Sequence, residues 1–132
     1  MRIIGTCLLL LGLLVGCATT GGLGSAAGRL DDSARDFYRE LRYEPGYGHT
    51  DADAAALVDA TRDFHRAVNY RRSPDHVRPA FERVAERYHH LRNLLDDRAY
   101  HDRYQRAGFD RVTQAYLDVD RAMNHPDSRY HN

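Results

Sequence analysis

The chain has 132 residues, 42% of them hydrophobic, with 19 acidic residues balanced by 19 arginines and no lysine, for a formal net charge of zero. That length is one domain's worth, and the even balance excludes the electrostatic footprint of a nucleic-acid binder. Acids and arginines alternate along the chain instead of clustering, which reads as a solvated surface laced with ion pairs.

Arg2 supplies a minimal positive charge, and Ile3 to Val15 is an uncharged apolar run containing Leu8-Leu9-Leu10-Leu11. At roughly 13 residues the run falls short of the about 20 that a spanning helix needs. It ends on Gly16-Cys17 and a stretch of Ala, Thr and Gly, the layout of an export signal. The tetrapeptide Leu14-Val15-Gly16-Cys17 resembles the lipobox of bacterial lipoproteins, in which Leu, a small or aliphatic residue, and Gly or Ala precede a Cys. The resemblance covers residues 1–17. It implies that the Cys17 sulfur takes a diacylglyceryl group, that a signal peptidase cuts between Gly16 and Cys17, and that Cys17 becomes the acylated mature N-terminus. Ala18 stands where an Asp typically retains such proteins at the inner membrane, so the resemblance implies the outer membrane of a two-membrane host, with the domain facing the periplasm. With about 0.8 kcal/mol per buried CH₂, two or three acyl chains anchor durably. Cys7 then leaves with the signal and Cys17 is consumed by lipid, so the folded part has no thiol and is held together by packing alone.

Residues 17–30 lack periodicity and are rich in Gly and small side chains, which predicts a lipidated Cys followed by a flexible tether reaching about 20 Å. Helical spacing then runs through residues 31–126. Asp31 or Ser33 caps a first helix with Ala34, Phe37, Tyr38 and Leu41 on one face, stopped by Pro45-Gly46. Asp51 or Asp53 opens a second, with Leu57, Ala60, Phe64, Ala67 and Val68 in register, ended by Ser73-Pro74. Asp75 caps a third, striped by Val77, Phe81, Val84, Tyr88, Leu91 and Leu95. Residues 96–107, with Tyr100 and Tyr104 at helical spacing but few aliphatic groups, extend the third helix, form a short separate turn or are a loop, and a short helix is expected. Gly108 precedes a fourth main helix carrying Phe109, Val112, Tyr116, Val119 and Met123, closed by Pro126 and followed by a polar tail, 127–132. One offset aligns Phe81-Glu82-Arg83-Val84 with Phe109-Asp110-Arg111-Val112, which is either a weak internal repeat or two amphipathic helices converging on one core pattern. With no strand signal, the expected fold is all-α, an antiparallel up-and-down bundle of about four helices.

Eight histidines raise the question of a metal, since bundles hold metals between facing helices. At about 100° per residue, His65, His89 and His90 all fall away from the apolar stripes of their helices. No Glu-x-x-His pair and no His-x-x-x-His pair with an intervening Glu is present. The candidates for a metal are therefore surface ones, His65, His89, His90 and His101, and no cofactor is expected. Nearly every acid falls on a cap or a solvent face beside an arginine, as with Asp63 and Arg66, Arg83 and Glu86, or Asp102 and Arg106. No serine sits in a nucleophile elbow, so no enzyme is expected.

Tyr70-Arg71-Arg72 and the segment from Tyr100 through Tyr104 to Arg106 combine tyrosine with arginine outside the core stripes. Protein contact surfaces favour that pairing. The expected function is a lipid-anchored, non-catalytic interaction or structural module of the bacterial envelope, its partners membrane lipid through acylated Cys17 and envelope proteins. The alternative is a periplasmic metal-binding or metal-sensing bundle that uses the surface histidines.

Overall fold

The computed structural model of the chain describes residues 22–43, 48–70, 72–97 and 103–124, and these form four helices: α1 (Leu23–Arg42), α2 (Gly48–Asn69), α3 (Pro74–Asp97) and α4 (Arg103–Asn124). Neighbours run antiparallel. Gly24 near the start of α1 lies beside Val68 and Asn69 at the end of α2, Phe64 meets Phe81 between α2 and α3, and Arg29 faces Asp118 where α4 returns along α1. The expected four-helix up-and-down bundle is what forms. Its ends place the start of α1, the α2–α3 turn and the end of α4 together.

The core is a column of aromatic rings that visits all four helices. Phe37 of α1 meets Phe109 of α4 at 5.5 Å, Phe109 stacks on Tyr88 of α3 at 5.5 Å, and Tyr88 lies flat on Tyr116 at 4.0 Å. Tyr116 continues to Phe81 at 5.9 Å, and Phe81 to Phe64 of α2 at 5.6 Å. Such ring pairs contribute beyond their area burial. The rings also set helix spacing. The backbones of α1 and α2, α1 and α4, and α2 and α3 approach closely, whereas α3 and α4 stand further apart and meet through Tyr88, Tyr116 and Phe81. Every stripe residue expected for α3 is buried except Leu95, which packs against the core edge.

The largest departure from the sequence reading is the start of α1. Residues 23–30 are helical, not a tether, and Ala26, Ala27 and Leu30 are fully buried. The small residues that resemble a linker are a packing face: a Cβ on Gly28 would stand 3.4 Å from His65 Nε2, and one on Gly24 would stand 3.7 Å from Asn69 Oδ1. Glycine costs a helix about 1 kcal/mol relative to alanine, and burial against α2 overrides that propensity here. The opening turn of α1 is closed by Ser25 and Ala26 N–H donating to Gly22 O. Asp31, expected as a cap, sits in mid-helix.

The other boundaries shift for similar reasons. α2 begins at Gly48, so Asp51 falls in its first turn, where a carboxylate complements the helix dipole. Asp53 instead faces His90. α2 ends at Asn69, four residues before Ser73-Pro74. Ser73 then starts α3, its carbonyl accepting from His76 and Val77 N–H, with Pro74 at the first helical position and Asp75 inside the first turn instead of at the cap. Of the segment 96–107, where a short helix is expected, Asp96 and Asp97 close α3 and residues from Arg103 onward belong to α4, so Gly108 lies within α4. Gly108 is where α4 crosses α1, since a Cβ there would meet the Glu40 carboxylate and come within 3.1 Å of the Phe37 ring. Residues 98–102 and Pro126 lie outside the described residues.

Tyr116 carries a pH dependence. Burial first, then the Asp120 carboxylate and Tyr88, hold its phenol above the usual value of about 10. The folded state thus keeps a proton that the unfolded chain releases. Its contribution is intact below pH 10 and is lost as pH rises through the folded value. Thermal melts from pH 8 to 11.5 should fall above pH 10, and Tyr116→Phe should flatten that fall. An unchanged alkaline slope in the variant would refute the assignment.

Candidate functional site

The α2–α3 turn builds the most distinctive polar feature of the surface. Tyr70 N–H donates to Arg66 O at 2.9 Å, and Arg72 N–H reaches back to Ala67 O at 3.2 Å, the long bond of a Schellman-type closure. The chain therefore reverses tightly and starts α3 at once, which brings the last two turns of α2 beside the first three of α3. Asp63, Arg66, Ala67 and Tyr70 share one face of α2, and His76, Ala80 and Arg83 share one face of α3. Ala67 and Ala80 are the buried floor. Because those two side chains are small and their neighbours long, a groove of about 550 Å³ opens between the helices, and Arg72 completes its rim.

Its lining carries an excess of positive charge. Three guanidiniums, of Arg66, Arg72 and Arg83, face one carboxylate, Asp63. Among the described residues Arg29, Arg35, Arg39, Arg62, Arg92, Arg111 and Arg121 are ion-paired, whereas the three groove arginines, like Arg42, Arg78 and Arg87 elsewhere, are not. The expected pairs Asp63–Arg66 and Arg83–Glu86 are not made. His76 Nδ1 lies 2.8 Å from Ser73 Oγ, and Tyr70 stands at the mouth, 74% exposed. A second groove of about 510 Å³ between α1 and α4 has the opposite excess. There Asp32, Asp36, Asp110 and Asp118 accompany Arg29 and Arg111, with Arg29 to Asp118 at 3.9 Å and Arg111 paired to Glu40.

Of the residues singled out by sequence, Tyr70 and Arg72 are thus in one groove, while Arg66, His76 and Arg83 were missed. Gly16, Cys17, Arg71, Tyr100 and His101 lie outside the described residues, as does the side chain of Tyr104 in the first turn of α4.

The histidines are dispersed. His90 Nε2 is 3.4 Å from Asp53 Oδ1, and His89 Nε2 is 3.5 Å from the Tyr116 hydroxyl. His65 corrects its expected outward orientation, since it turns into the α1–α2 seam with Nδ1 3.2 Å from Asp31 Oδ2. Asp53 and His65 are twelve residues apart on α2, about 18 Å along its axis. No three His, Cys, Asp or Glu side chains among the described residues come together as a metal site.

Asp31 also corrects the expectation that the acids are solvated. Its carboxylate is buried, with Oδ2 accepting from Arg35 Nη2 at 2.6 Å and facing His65, while Oδ1 has no partner. A signal for this existed: Asp31 is four residues after Ala27 and three before Ala34, on the apolar stripe once α1 is extended back to Leu23. Arg35 pairs with it and His65 faces it, and among the described residues no hydroxyl or thiol nucleophile is bonded to the trio.

Comparison of the chain with protein-family models, curated proteins and solved structures found no match.

Proposed function

We propose that the chain is a lipid-anchored, non-catalytic module of the bacterial envelope, attached through acylated Cys17 at the outer membrane with its bundle on the periplasmic side. The observation that carries this reading is Leu14-Val15-Gly16-Cys17 at the end of an uncharged apolar run, six positions before the first residue of a folded bundle. Among the described residues no helix is long and apolar enough to cross a membrane, so those helices supply no competing anchor. A structural role is supported by the ion pairs, which brace single helices, as Arg39 with Asp36, or tie helix to helix, as Arg111 with Glu40. The metal-binding alternative finds no support in the placement of His65, His89 and His90, each engaged with a different neighbour.

Cys17→Ser tests the anchor. In a host with lipoprotein processing, the native chain should yield a mature species whose intact mass fits Cys17 carrying acyl chains, and the variant should accumulate as the larger precursor. A variant processed normally, or a native chain with no acyl mass, would refute it.

A further inference from the structure

We infer that the Arg66–Arg72–Arg83 groove is a membrane-docking face, which receives the phosphate headgroups of an anionic lipid surface and holds the bundle end-on to it. The inference rests on the lipid-anchor reading, and it names what the anchored module engages.

Position comes first. α1 enters the bundle beside Val68 and Asn69, at the last turn of α2, and Tyr70 follows directly. Between the Cα atoms of Cys17 and Leu23 there are six steps of chain, which span at most about 20 Å when fully extended. A bundle about 30 Å long on so short a leash presents its α1 N-terminal end to the surface holding the lipid. The groove opens at that end. Tyr43 marks the far end, where α1 finishes.

Charge comes second. In a chain of zero net charge, three guanidiniums without carboxylate partners converge there, and the start of α3 adds the positive end of its dipole, offset by Asp75 in its first turn. Arginine forks match phosphate oxygens. Tyr70, at the mouth, has the amphipathic character that favours the headgroup layer. The groove floor is alanine, with no deep apolar pocket for the aromatic or aliphatic anchor that dominates protein interfaces. Headgroup phosphates fit that combination better than a protein partner does.

The test uses the mature acylated protein with Tyr70→Trp as reporter; the chain has no other tryptophan. It is reconstituted in vesicles doped with brominated lipid, either pure phosphatidylcholine or phosphatidylcholine with 30% phosphatidylglycerol. The indole at position 70 should be quenched at least threefold more in the anionic vesicles, and 0.5 M NaCl should abolish the difference. Arg66→Ala/Arg72→Ala/Arg83→Ala should remove it and the corresponding triple lysine variant should retain it, with helicity by circular dichroism unchanged in both. A reporter at Tyr43→Trp should be quenched little in either vesicle. Equal quenching in both compositions, persistence in the alanine variant, or stronger quenching at position 43 would overturn the inference. So would a shift of the position-70 emission by inorganic phosphate at fixed ionic strength without anionic lipid, which would make the groove a site for free phosphate. Flotation separates the two readings. Protein that fails to float with phosphatidylcholine vesicles refutes the anchor, whereas protein that floats without composition-dependent quenching refutes only the docking face.

Discussion

Tyr88→Ala is expected to destabilise the bundle by about 3–5 kcal/mol, the range for deleting a large buried aromatic. Tyr88 is 2% exposed and sits at the centre of the ring column, stacked on Tyr116 at 4.0 Å and on Phe109 at 5.5 Å. Its loss removes the main bridge across the α3–α4 seam, where backbones are too far apart to close over the space. For about a hundred folded residues, that loss lowers the melting temperature by roughly 15–30 °C. Tyr88→Phe keeps the ring and deletes only the hydrogen bond donated to Thr113 Oγ1 at 3.1 Å, so it should cost about 1 kcal/mol. Guanidinium titrations of the two variants check this. An alanine variant within about 1 kcal/mol of the parent would mean that the column does not hold the seam.

That column was legible as a list of residues but not as an object. Phe37, Phe64, Phe81, Tyr88, Phe109 and Tyr116 announce themselves by three- and four-residue spacing, because large apolar side chains give an unambiguous helical period. Their order in space depends on how four helices are rotated, which no single stripe specifies. The first turns of α1 were illegible for the opposite reason. Gly24, Ser25, Ala26, Ala27 and Gly28 carry little side-chain hydrophobicity, so composition alone cannot separate a loose linker from a close-packed face. The groove was half visible: Tyr70 and Arg72 stand out locally, whereas His76, Ala80 and Arg83 acquire meaning only when α3 is laid against α2. Asp31 was misread because a helix opened at residue 31 makes it a cap, and the same helix opened eight residues earlier buries it.

Asp31 offers the most discriminating test of that earlier opening. Replacing both of its partners, Arg35→Leu with His65→Leu, leaves a carboxylate that is 3% exposed with no cation beside it. Stranding a buried charge in this way typically costs about 3–5 kcal/mol. Here the effect should fall near the lower end, since Arg35 is 44% and His65 30% exposed and water reaches the outer edge of the cluster. Adding Asp31→Leu to the double variant should recover most of the loss, because a seam of α1 and α2 that is apolar throughout has no charge to desolvate. Oδ1, already without a partner, indicates that the carboxylate's hydrogen bonding is incomplete even in the parent. Urea titrations of the parent, the double and the triple variant therefore predict a fall followed by a recovery. A double variant as stable as the parent would mean that Asp31 is solvated, and so that residues 23–31 do not pack on α2. The tether would then be long, and the bundle would be free to turn its basic groove away from the membrane.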